Sequence, residues 1–87
     1  MVSVRVERSF RGISERLAVQ YLENLGGERV DDGIVEGNTW TARLSSSSVG
    51  IGPSLTISEV TVVFEGQDET LDELVGDFAQ KAMRAGG

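Results

Sequence analysis

Residues 43–55 read RLSSSSVGIGPSL, and their reading decides whether the chain is one folding unit or two. Four serines followed by Gly50-Ile51-Gly52-Pro53 could be a linker, a phosphate cradle or the tip of a hairpin. Glycine loops cradle phosphate where a strand runs into a helix, whose N-terminus supplies amides and a positive dipole. Here the following residues, SLTISEVTVVFEG (54–66), are strand-like, and no Gly-Lys-Ser/Thr is present. A linker needs two units to join, and 87 residues suffice for one domain. Residues 44–54 are therefore expected to be a flexible hairpin loop, longer than the usual two to five residues.

Working outward, the strand before this loop belongs to ERVDDGIVEGNTWTARLS (28–45), which reads as a hairpin. Gly37-Asn38 supplies a two-residue turn, placing Val35 opposite Trp40 and Gly33 opposite Ala42. Trp40, Ala42 and Leu44 then face the core, while Thr39, Thr41 and Arg43 face away. Asp31-Asp32-Gly33 marks either a bulge or a second tight turn. After the loop, Leu55 and Ile57 are odd-numbered, but Val60, Val62 and Phe64 are even. A one-residue slip at Ser58-Glu59 would bring both sets to one face.

At the N-terminus, VSVRVE (2–7) alternates as a half-buried strand does. Leu17, Ala18, Tyr21, Leu22 and Leu25 then form one helical stripe. Ser14 caps this helix, Ile13 is placed to staple against Ala18, and Gly26-Gly27 ends it. A second stripe, Leu71, Leu74, Val75, Phe78, Ala82 and Met83, predicts a closing helix with Thr70 and Glu73 as a capping box. Gly76 lies within it, where glycine would permit close approach to the sheet.

The expected fold class is α+β, a two-layer sandwich of order β-α-β-β-β-α. A four-stranded, mostly antiparallel sheet carries two helices on one face. Residues 1–87 form a single domain, with residues 85–87 frayed.

Composition narrows the chemistry. The chain has no cysteine and no histidine. Thiolate catalysis, imidazole bases and ordinary zinc sites are thereby excluded, and no enzyme activity is expected. Acidic residues gather at Glu65, Asp68, Glu69, Asp72 and Glu73, but without the pattern of a calcium loop. Carboxylates in a first helical turn favour the helix dipole instead. Neither metal nor cofactor is expected. A net charge of −6 opposes binding to nucleic acid or an anionic membrane. No apolar run approaches the roughly 18 residues of a membrane span, and a cytoplasmic location is expected.

The candidate binding residues lie on the open sheet face and the serine loop: Arg5, Thr41, Arg43, Ser47, Gly50 and Gly52. Arginine can hold a carboxylate or phosphate through two parallel bonds. The expected function is a non-catalytic binding or interaction module, engaging a protein partner or forming a homodimer.

Three resemblances accompany this reading. Seven arginines against one lysine, Lys81, beside fourteen acidic residues resemble the composition of small cytoplasmic proteins of salt-loving archaea. The terminal Gly86-Gly87 resembles the tail of ubiquitin-like modifiers and of the sulfur-carrier proteins of molybdopterin synthesis. That resemblance implies activation at the carboxylate of Gly87, on a tail that follows a strand. The element order resembles the double-stranded-RNA-binding domain, but TLDELVGD (70–77) puts carboxylates where that family grips phosphate with lysines.

Overall fold

The computed structural model describes residues 3–86, with side chains through residue 83. The elements run β1 (Val4–Arg11), α1 (Glu15–Asn24), β2 (Glu28–Asp31), β3 (Ile34–Glu36), β4 (Trp40–Gly52), β5 (Leu55–Gly66) and α2 (Asp68–Gly86). The strands form one antiparallel sheet in the order β1-β5-β4-β3-β2. The expected α+β class and its two helices stand. A fifth strand is added because Asp32-Gly33 is a tight turn, one of the two readings open for that stretch. Gly33 has φ +70°, in the left-handed region that glycine adopts without strain.

Even-numbered residues of β4 and β5 make the floor of the core. Ala42, Val60, Val62 and Phe64 are fully buried, and Trp40 and Leu44 nearly so. Above them lie Ala18 and Leu22 of α1, and Leu71, Leu74, Phe78 and Ala82 of α2. Phe78 sits at the centre, edge-on to Phe10 at 4.9 Å, Phe64 at 5.7 Å and Tyr21 at 6.0 Å. One ring thus ties α2 to β1, β5 and α1. Such pairs add about 0.5–1.5 kcal/mol each beyond the area they bury.

The caps of α1 are as the sequence predicts. Leu17 N–H donates to Ser14 Oγ at 3.1 Å. At the other end Gly26 takes φ +101°, and the Gly26 and Gly27 amides donate to the carbonyls of Glu23 and Leu22. This double bond pattern closes the helix on its own last carbonyls.

Several local expectations are corrected. Val35 lies opposite Ala42, not Trp40, because the turn falls one residue later, at Asn38-Thr39, and is closed by Gly37 N–H donating to Trp40 O. A shift of two leaves every side chain on its expected face. β1 continues to Arg11, which brings Phe10 over the core. No bulge occurs at Ser58-Glu59: pairing runs unbroken through Ser47↔Glu59 and Ser48↔Ser58, so Leu55 and Ile57 lie on the open face. The register shift instead falls between Gly50 and Gly52. The segment expected to be a flexible loop over residues 44–54 is strand as far as Gly52, and only Pro53-Ser54 turns. Helix α2 begins at Asp68, so Thr70 lies inside it rather than at its cap. Met83 is 74% exposed, off the buried stripe. A Cβ at Gly76 would meet nothing within 4 Å, so this glycine serves no close approach.

Candidate functional site

The fold leaves one sheet face without helices, and the strand register sets its side chains in rows. Arg5, Glu65, Thr41 and Glu36 form one row across β1, β5, β4 and β3. Glu7, Val63, Arg43 and Ile34 form the next. With strands about 4.8 Å apart and residues about 3.3 Å apart along each, Arg5 and Arg43 stand about 12 Å from one another. That is a backbone separation, within the combined reach of two extended arginine side chains.

Their surroundings differ. Arg5 lies directly opposite Glu65, whereas Arg43 lies between Val63 and Ile34, both half-buried. Among the described residues neither arginine makes a side-chain hydrogen bond or ion pair. The ion pairs among the described residues are Arg11 with Glu59, at 3.0 Å, and Arg29 with Asp32. Arg43 is therefore an uncommitted cation on small apolar ground, an arrangement suited to a protein contact.

The other sequence candidates run outward from this spot. Ser47 lies opposite Glu59, and Gly50 and Gly52 flank the register shift near the end of β4. Nine residues separate Arg43 from Gly52, about 30 Å along a strand. The six candidates consequently make two regions, a central patch and an outlying arm, rather than one pocket. Gly87 lies outside the described residues.

The arm comprises the β4–β5 ribbon over residues 45–58. β1 pairs with β5 only from Glu59 onward, and β3 pairs with β4 only at Thr41–Arg43. At its end Ile51 and Leu55 are 52% and 60% exposed, and Val49 pairs with Ile57 behind them. These apolar residues, with Ile34 and Val63, are what the sequence reading missed. Their signal was the odd-numbered phase of Leu55 and Ile57, which marks the open face.

Elsewhere, a groove between α1 and the β2–β3 turn is lined by Glu15, Arg16, Glu23, Arg29 and Asp32. Its charges are of both signs, with Arg29 already held by Asp32. Among the described residues no three potential metal ligands converge, and no helix is long and apolar enough to cross a membrane.

The sequence matches the family described as Archaeal MoaD-like protein over residues 6–87. The chain belongs to that family. The kinship with small sulfur carriers expected from Gly86 and Gly87 agrees with this membership at the level of family. No curated protein matches the MoaD-like chain. In this MoaD-like chain the approach to the two glycines is helical, since α2 continues through Gly86 directly after β5 and Gln67.

Proposed function

We propose that this MoaD-like chain is a non-catalytic protein-binding module, acting in the cytoplasm of a salt-adapted archaeon through the open sheet face around Arg43. The observation that carries the reading is Arg43 itself, exposed and uncommitted between half-buried Val63 and Ile34. A partner carboxylate placed there would gain a bidentate contact while Ile34 and Val63 were covered. Thr41 adds a hydroxyl on the same strand, and Arg5 a second cation two strands away. The absence of histidine and cysteine leaves the chain no imidazole or thiolate for catalysis.

A second reading is favoured by one observation, the family match extending through both terminal glycines. In that reading the carboxylate of Gly87 is activated and carries sulfur. It requires Gly87 to be a free terminus and the last turn of α2 to unwind into an enzyme's cleft.

Intact-mass measurement on the native protein, isolated in high salt from its source cells, separates the two. The binding-module reading expects an unmodified chain with a stoichiometric protein partner, lost in Arg43→Glu. Exchange of sulfur for oxygen at Gly87, or a conjugate there, would make the chain a carrier.

A further inference from the structure

We propose that the β4–β5 arm is a self-association device, in which the outer edge of β4 over Ser45–Val49 pairs antiparallel with the same edge of a second copy. The proposal goes beyond the protein-binding reading above: it adds a contact at a different surface, with this chain itself as the partner.

The edge is open for structural reasons. β3 is short and covers β4 only at Thr41–Arg43, after which Leu44 N–H donates to Gly33 O. From Ser45 onward no strand lies on that side of β4 among the described residues. An unpaired row of amides and carbonyls is a template for another strand unless it is guarded. The other two edges are guarded: β2 by Glu28, Arg29, Asp31 and a register shift, and β1 by Arg5, Glu7, Arg8 and Arg11. The arm has no such guard. Its only proline is at the turn, and its register shift comes after Val49.

Charge selects the occupant. Residues 44–58 contain no charged side chain, in a chain of net charge −6. Two copies repel over most of their surfaces, and this neutral arm is where they can meet without like-charge contact. A foreign partner chosen by charge would find nothing to read here. Self-pairing about a two-fold axis is isologous, so Ser46, Ser47 and Ser48 would face serines of the partner copy and Ser45 its Val49. Facing hydroxyls form cross-strand hydrogen bonds. In that register the tip of each arm, which carries the exposed Ile51 and Leu55, reaches the partner copy's body at the end of β3, where these side chains would lose water.

The test is the mass of the full chain in solution across a wide concentration range, by sedimentation equilibrium. A reversible dimer is expected. In Ser46→Glu/Ser48→Glu, at low ionic strength, dimerisation should weaken by tenfold or more. It should recover near 1 M salt, where the screening length falls to about 3 Å. Circular dichroism in the same buffers reports whether the variant is folded. Hydrogen exchange on the unaltered chain serves if it is not, because the amides of residues 45–49 should gain protection only at dimer-forming concentrations. A monomer at every concentration overturns the proposal, as does a dimer whose arm amides stay unprotected. A dimer broken by Arg43→Glu and not by the serine variant also overturns it, and assigns the contact to the open face. A monomer whose arm amides are protected only with the partner of the preceding section gives the edge to that partner, overturning self-pairing while the binding-module reading stands.

Discussion

The body of the molecule and its arm are built from the same two strands and are held together differently. In the body, β4 and β5 lie between β1 and β3 and under two helices, so their even-numbered residues vanish into the core. In the arm the same strands have each other, with Gly12 N–H donating to Ser58 O at its base, and Ser45–Ser48 are exposed on both faces. Stability in the body comes from apolar burial; order in the arm comes from the ladder and the Val49–Ile57 pair. This hairpin runs on past its core with a surplus length that is uncharged and mostly small in side chain. Substitutions in the two regions should therefore differ in their effect on folding.

The largest effect is expected at Phe78, where three rings converge from three elements. Phe78→Ala should cost about 3–5 kcal/mol. A domain of this size has only roughly 4–13 kcal/mol in total. Urea titration followed by circular dichroism would measure it, and a loss under 1 kcal/mol would mean that the body is not organised on this ring.

Next is Gly37→Ala. A Cβ there would run into the indole of Trp40, which lies across Gly37, and the ring is also close to Gly27. Displacing so large a side chain should cost about 1–3 kcal/mol, with tryptophan fluorescence shifted toward that of a wetter ring. An unchanged spectrum and midpoint would show that Trp40 has other room.

Gly76→Ala should act in the opposite direction. Gly76 is exposed within α2, and a Cβ would meet no atom within 4 Å. Replacing glycine by alanine in such a helix should stabilise by about 0.5–1 kcal/mol. A higher midpoint in the same titration is expected, and a lower one would point to a contact on that face of α2.

These residues also show how far the sequence could be read. Wherever periodicity and burial agreed, as in the stripe of α1, at Leu71, Leu74, Phe78 and Ala82 of α2 and at Trp40, Ala42 and Leu44, the side chains lie where they were expected. The β3–β4 register was wrong by two, yet harmlessly, because strand faces repeat every two residues. The error at Ser58-Glu59 came from requiring every apolar residue of β5 to face one core. Leu55 and Ile57 lie beyond the helices, where no core exists for them to enter. Reading four serines as a loop had a similar cause, since serine and glycine signal turns only on average, and here their backbones pair with β5. Of the candidate site, Arg43 and Thr41 were legible from alternation alone. Their apolar companions Ile34 and Val63 were not, because which strands are neighbours is a tertiary fact.

The smallest effect on folding is expected at the arm's tip, where it is also the most informative. Leu55 is 60% exposed and lies opposite Gly52, so Leu55→Ser removes little buried surface from the single chain. Its unfolding free energy, measured in dilute solution where the chain is monomeric, should change by less than about 0.5 kcal/mol. The same substitution should raise the dissociation constant of the dimer, because the tip that carries this side chain meets the partner copy's body only when the two edges pair. Folding and association respond to one residue in opposite proportion to Phe78, whose loss unfolds the body that carries the arm. A dimer unaffected by Leu55→Ser would confine the contact to the serine edge. A monomer destabilised by more than 1 kcal/mol would show that the tip is anchored to the body, and would erase the distinction between the two regions.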